Sequence, residues 1–190
     1  MTDPRRSFFK LAYNNRLAND RLHEAVSMLQ PGEFEAARTG FFPSIQASLN
    51  HILVIDWFYV DALESGRLGP KAWANEIPFP HREELREAQV AVDQRLLNFC
   101  LSLTIDALAS EVQIHRGARI QTERMDDVLS HIFQHQTHHR GQVHAMLSGT
   151  SVSPPQLDEF IVADDAASRS PEMKRLAITE AELMRLDRST

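Results

Sequence analysis

HIFQHQTHHRGQVH, residues 131–144, carries five of the nine histidines of this chain. Around this segment, apolar residues recur from Val128 to Met146 at the three- and four-residue spacing of a helix with one buried face. We expect the helix to begin near Thr122, a residue type that caps helix N-termini, and to end at Gly149. Histidine is the commonest metal ligand, so the function depends on which of these rings share the buried face.

Three further helical segments precede this helix. Proline and glycine residues divide them, at about residues 5–29, 43–65 and 81–103. Each segment carries apolar residues near helical spacing and is long enough to span a small domain. Four such helices joined by loops predict an all-α fold, a four-helix bundle.

Two smaller features complete the expected architecture. EVQIHRGARIQ, residues 111–121, alternates apolar and polar residues and contains a turn-forming glycine, which predicts a small hairpin before the fourth helix. An extra C-terminal helix is expected from Ser170 to about Leu186. We therefore expect a bundle over residues 1–162 and a helical C-terminal extension over residues 163–190.

The composition argues against several classes of protein. A formal charge of −6 and an isoelectric point near 5.8 disfavour a surface that binds nucleic-acid phosphates. No apolar run is long enough to cross a membrane, and the single cysteine, Cys100, cannot form an internal disulfide. We therefore expect a cytoplasmic protein with neither a nucleic acid nor a membrane as partner.

The helical period sorts the histidines of the fourth helix into three groups. His135 and His139 fall inside or beside the apolar stripe, one turn apart, a spacing that suits chelation of one ion. His131 and His138 fall on the flank of the stripe, and His144 on the far side. The sequence therefore predicts an inward-facing pair at positions 135 and 139.

A third histidine lies on the second helix. His51 is the only histidine of that helix and stands in the apolar segment LNHILVIDWFY. With the pair on the fourth helix it would supply three imidazoles and leave coordination positions open, as in a reactive metal centre. The alternative is that each ring is a structural histidine, hydrogen-bonded within the core. The remaining histidines are expected on the surface or in loops, namely His23, His81 and His115.

Asp56 is a carboxylate in the same apolar run as His51. If it is buried, it must be paired. One interpretation is that it accepts a hydrogen bond from a metal-binding ring or acts as a general base. The favoured one is a structural salt bridge or hydrogen bond to another helix, with Arg16 or Arg140 as its partner.

Four segments of the chain resemble the DinB family, the DinB/YfiT-like metalloenzymes. These are LAYNNRLANDRL from Leu11, FFPSIQASLNHILVIDWFYVDAL from Phe41, HIFQHQTHHRGQVHAMLSG from His131 and SPPQLDEFI from Ser153. The most specific element is HxxHHRGQ, which starts at His135, combined with a histidine in the second helix. The likeness covers about residues 5–162.

The resemblance implies an up-down-down-up bundle that forms a homodimer. It also implies one divalent ion held by His51, His135 and His139, the three residues that the helical faces favour. Zinc or nickel is the expected metal, and iron, manganese or cobalt would also suit imidazole ligands. Related proteins include thiol-dependent transferases and isomerases, so a small-molecule thiol or an electrophile is the expected partner.

Three functions remain open from the sequence. The first is a metal-dependent enzyme, a thiol-dependent transferase or a hydrolase, in which Asp56, His131 and His138 are candidates for moving protons. The second is a non-catalytic metal-binding stress-response module, which a fourth protein ligand on the ion would support. The third is a metal-free scaffold. Trp73 and Phe79, in a proline-rich loop, either line a pocket or simply pack.

Overall fold

The computed structural model describes residues 3–184. Four long helices dominate it: α1 (Arg5–Ser27), α2 (Ile45–Leu63), α3 (Arg82–Ser102) and α4 (Met125–Leu147). Strands β1 (Glu111–His115) and β2 (Ile120–Arg124) precede α4, and two short helices, α5 (Ser170–Arg175) and α6 (Glu180–Met184), follow it. Short 3-10 turns lie at Gly69–Trp73, Asp106–Ala109 and Ala163–Ala166. The predicted all-α class is confirmed.

The four long helices surround one apolar core. Leu17, Leu53, Leu96 and Leu129, one from each helix, are at most 2% exposed. Each long helix contacts two others in a closed ring, in the order α1, α3, α2, α4. Burial of one apolar face per helix is what holds such an arrangement together.

Pairs of residues show how the helices run relative to one another. Arg5, at the start of α1, donates to the carbonyl of Leu103 after α3, so these two helices run in opposite directions. Gln46, at the start of α2, donates to the carbonyl of Pro80 before α3, and Arg95 near the end of α3 meets Glu64 after α2. The up-down-down-up order stays a prediction of the family resemblance, and these pairings agree with it.

The expected hairpin is present, and it shortens the fourth helix. β1 and β2 pair in antiparallel register, and Gly117, at φ 78°, takes the left-handed conformation that the turn requires. Thr122 lies opposite Gln113 in this ladder, so the prediction that it caps α4 is wrong. The helix starts only after the ladder ends, at Met125.

The C-terminal segment forms two short helices where one was expected. Ala177, at φ 51°, breaks the helix because its backbone leaves the right-handed region. Thr179 then starts α6 through a reciprocal cap: its hydroxyl accepts from the Glu182 N–H, and the Glu182 carboxylate accepts from the Thr179 N–H. The expected continuation to Leu186 lies outside the described residues.

Arg21 on α1 fastens this C-terminal segment to the bundle. Its guanidinium donates to the carboxylates of Glu159 and Glu172 at 2.8 and 2.9 Å, and to the carbonyls of Gln156 and Ser168 at 2.8 and 2.7 Å. The side chain is 13% exposed, so these charge-assisted bonds form partly out of water.

Among residues 3–184 no helix combines the length and apolarity that crossing a membrane requires.

Candidate metal centre

Helices α2 and α4 bring three histidines to one point between them. Ser44 fixes the start of α2 by accepting a hydrogen bond from the Ala47 N–H at 3.0 Å, which sets the register that carries His51. His135 and His139 stand one turn apart on α4 and face it. One ring nitrogen of each histidine lies within 4.8 Å of those of the other two.

The distances between the rings are those of groups that can share an ion. The Nε2 atoms of His51 and His135 are 3.1 Å apart. The ring of His139 lies 4.4 Å from that of His135 and 4.6 Å from that of His51, measured between centroids. Two nitrogens that bind one tetrahedral zinc ion at about 2.0 Å lie about 3.3 Å apart, close to the separation of the His51 and His135 nitrogens.

Burial keeps the three rings in the form that binds metals. Loss of water lowers the pKa of His51 to about 4 and that of His135 to about 3, and repulsion from neighbouring histidines adds to both shifts. Burial also lowers the pKa of His139, against the opposing effect of the hydrogen bond that its ring donates to Gln142. Neutral imidazoles at neutral pH offer lone pairs without first losing a proton.

Two residues that sequence reasoning missed hold these rings in place. Nδ1 of His139 and Oε1 of Gln142 are 2.8 Å apart, so the ring donates from Nδ1 and leaves the Nε2 lone pair free. The ring of Phe42 lies 4.2 Å from that of His51 and 5.6 Å from that of His139. Gln142 belongs to the HxxHHRGQ element and Phe42 to the segment that begins at Phe41, but the sequence alone assigned no role to either.

One ring nitrogen of His135 lacks a hydrogen-bond partner. Its Nδ1 atom is buried and makes no hydrogen bond to any residue in the described part of the chain. A buried polar atom without a partner costs about 1–3 kcal/mol. The unpaired atom is not Nε2, the nitrogen that lies 3.1 Å from Nε2 of His51, so it bears on the cost of burying the ring and not on whether the ring binds an ion.

His131 and His138 lie outside the cluster, on the flank of α4 that the helical period predicts. His131 is exposed and packs edge-on against Tyr59, with ring centroids 4.9 Å apart. His138 is also exposed, and its Nε2 accepts from the Gln142 amide at 3.1 Å. Neither contributes a ligand atom to the cluster within residues 3–184.

Asp56 belongs to a different group of side chains. It is buried, and its Oδ2 accepts from the amides of Gln89 on α3 and Gln136 on α4. The expected partners were Arg16 or Arg140, but Arg140 acts on it only through its charge. Burial and the nearby Asp93 raise the pKa of Asp56 well above its usual range. The hydrogen-bonded structural interpretation fits this position better than contact with the rings.

The remaining members of this group connect all four long helices. Arg140 on α4 donates to the side chains of Asn15, Asn19 and Gln136, and both asparagines donate to Asp93 on α3. Its guanidinium is 5% exposed, and burial lowers its pKa to about 10. We call these seven residues the buried polar network: Asn15, Asn19, Asp56, Gln89, Asp93, Gln136 and Arg140.

One histidine expected at the surface is in the core. His23 on α1 is 4% exposed, and burial lowers its pKa to about 4, with a further contribution from Arg86. The prediction failed because His23 lies beside Leu22 and Val26 on a helix that is buried around much of its circumference.

A cavity of about 510 Å³ opens beside His51. Its wall is mainly apolar and includes Phe42 and Trp73, with two charged residues, Glu76 and Arg116. Trp73 therefore lines a pocket, which was one of the two expectations for its loop. Phe79 does not line it and packs edge-on against Trp57. A mainly apolar cavity with a few polar groups beside a histidine cluster is typical of a small-molecule site.

Comparisons with known proteins agree with this architecture. A sequence model of the DinB family matches residues 1–174. Among solved structures, a DinB-like protein from Bacillus cereus ATCC 10987 is similar, with a TM-score of 0.54 and 13% sequence identity. The alignment covers 73% of this chain and 91% of that one, and at this identity the likeness shows the fold alone. No curated protein sequence matches the chain.

Proposed function

The chain belongs to the DinB family, and we propose on that premise that it binds one divalent transition-metal ion through His51, His135 and His139 and uses it as an enzyme. The observation that carries the proposal is the convergence of three neutral ring nitrogens within 4.8 Å of one another. Zinc or nickel suits three imidazole ligands best, and iron, manganese or cobalt would also fit.

An open centre supports catalysis over a purely structural role. Structural zinc sites have four protein ligands, whereas catalytic sites keep a position for water or substrate. Within residues 3–184 the cluster comprises three histidines, and neither Asp56 nor His138 adds a fourth ligand. The cavity beside His51 would give an outside molecule access to an ion held there. A non-catalytic module would need neither feature.

The reaction class we propose is transfer of a small-molecule thiol to an electrophile, or hydrolysis. A bound divalent ion lowers the pKa of a thiol or a water molecule and stabilises the resulting nucleophile. Gln142 keeps His139 in the tautomer that presents Nε2, and Phe42 shields the rings of His51 and His139 from water. His131 lies one turn before His135 on the flank of α4; partial loss of water and Arg116 lower its pKa, so its ring is neutral near pH 7 and free to take up the displaced proton.

Metal content is the direct test. Elemental analysis of protein purified without a histidine tag, before and after chelator treatment, should find about one ion per chain. His135→Ala should remove it, because two remaining imidazoles make a weak site. His144→Ala is the matched control, since it deletes a histidine on the far side of the same helix. Full occupancy in the His135→Ala protein would refute the ligand set.

A further inference from the structure

The turn of the hairpin places a cation in the cavity wall. Arg116 directly follows β1 and lines the same cavity as His51. Its guanidinium lies over the ring of Phe58, 4.7 Å from the ring centre, which holds the planar group against an apolar surface.

Neutral groups, not carboxylates, hold this guanidinium. Nε donates to the Gln121 side chain at 3.0 Å and Nη2 to the Tyr59 hydroxyl at 3.1 Å. No carboxylate of the described chain lies within ion-pair distance of it. Arg86 and Arg175 differ, since both pair with Asp20. Arg116 is therefore fixed in direction while its charge stays unbalanced.

The free donor atom and the surroundings define what would balance that charge. Nη1 of Arg116 makes no hydrogen bond to a residue between positions 3 and 184, and the side chain is half-buried. The other charged group of the wall, Glu76, is exposed to solvent at the rim. One cation in a mainly apolar wall suits a single negative charge, and a guanidinium matches a carboxylate in shape. A phosphate dianion would need more donors than this wall offers.

We propose that Arg116 is the anion-recognising residue of the cavity and that its ligand is a small, largely apolar molecule with one carboxylate. The inference rests on the proposed function for the chemistry at the histidines, and it adds the class of substrate. Such a molecule would place its carboxylate on Arg116 and its apolar part along Phe42 and Trp73.

A matched pair of probes tests the proposal. N-acetyl-S-benzylcysteine and its carboxamide differ only in the charge, and neither carries a free thiol. Calorimetric titration of the wild-type protein should show about tenfold or more tighter binding of the carboxylate, as expected for a charge-assisted hydrogen bond. Arg116→Gln should abolish that preference. Arg119→Gln, which removes the same charge from an exposed position of the same hairpin, should preserve it.

The design separates this proposal from the metal centre. Chelator-treated protein should keep the preference, because Arg116 and not an ion would create it; a preference that disappears with the metal overturns the proposal. Equal binding of the two probes to wild-type protein, or an unchanged preference in Arg116→Gln, also overturns it. Arg116→Lys, which keeps the charge but loses the forked donors, should retain part of the preference and guards against a folding defect in the glutamine variant. Absence of metal with the preference intact would refute the proposed function alone.

Discussion

Two pairs of polar residues lie on the inner side of α4, and the second pair follows the first by one position along the chain. His135 and His139 meet His51 beside a cavity, whereas Gln136 and Arg140 meet Asp56 and the two asparagines of α1 in the core. Both pairs have the four-residue spacing of one helix face. In the first pair, Nδ1 of His139 is bonded to Gln142, and Nδ1 of His135 has no partner in the described chain; in the second, donors and acceptors are matched across helices.

This difference separates a binding site from a structural contact. Buried polar groups are costly unless they are hydrogen-bonded, and the buried polar network meets that requirement almost throughout. Its exceptions are one oxygen each of Asp56 and Gln89, which lack partners within the described chain. In the histidine cluster, one nitrogen of each ring instead lies close to those of the other two, and a cavity adjoins His51. Buried polar residues therefore mark a candidate site here only where possible ligand atoms converge beside a cavity.

The largest effect is expected from breaking the buried polar network. Arg140→Met removes the cation that faces two buried carboxylates, Asp56 and Asp93, and should lower the free energy of unfolding by about 3–5 kcal/mol. Denaturant titration measures it. Arg95→Met is the control, because its ion pair with Glu64 is 42% and 38% exposed, and it should cost less than about 1 kcal/mol. Equal losses in the two variants would show that the network adds no more than a surface pair.

The pH dependence of stability extends this comparison to His23, a buried histidine remote from the cavity. His23 has a pKa of about 4 in the folded protein against 6.5 when unfolded, so the unfolded chain binds the proton more tightly. Stability should therefore fall as the pH falls from about 6.5 to about 4, by about 3 kcal/mol from this group.

The pH test compares wild-type protein with His23→Phe. Other groups titrate in the same range, among them Asp93, whose pKa burial raises to about 6 and whose effect has the opposite sign. The difference between the two proteins isolates His23, since both keep those other groups. Stability curves that run parallel between pH 7 and pH 4 would contradict the assignment of a buried neutral ring.

The smallest effect is expected from removing the hydrogen bond that orients one proposed metal ligand, His139. Gln142→Leu leaves Nδ1 of His139 without its acceptor, so the ring can turn or present the wrong tautomer. Affinity for zinc should fall about tenfold to hundredfold while the ion still binds. Competition with a chromophoric chelator gives the value. Gln134→Leu, an exposed change on the same helix, should leave it unaltered; an equal loss there would point to the helix and not to the hydrogen bond.

Helical periodicity predicted the long helices and the inward pair at His135 and His139, because one buried face repeats along each helix. His51 followed from being the only histidine of an apolar helix. Local pattern could not predict the start of α4, since Thr122 suits both a helix cap and a strand, and the pairing with Gln113 decides between them. The break at Ala177 could not be predicted either, because alanine by itself favours a helix.

The residues around the site could not be predicted from the sequence, because contacts between distant segments bring them there. Phe42 and Arg116 reach the histidines from a loop and from the hairpin turn, and no spacing along the chain connects them to α4. The burial of His23 could not be predicted, because α1 is buried around more of its circumference than its apolar residues indicate. Sequence thus predicts what lies on one helix better than what faces it.

Arg21 has a consequence for how the protein unfolds. Its guanidinium is attached to three successive stretches of the C-terminal segment, at Gln156 and Glu159, at Ser168, and at Glu172. Pulling any one stretch away from α1 would strip acceptors from a cation that is poorly hydrated where it lies. The segment after α4 should therefore melt together with the helices it covers, in a single cooperative transition, and a protease should find few cuts there before global unfolding.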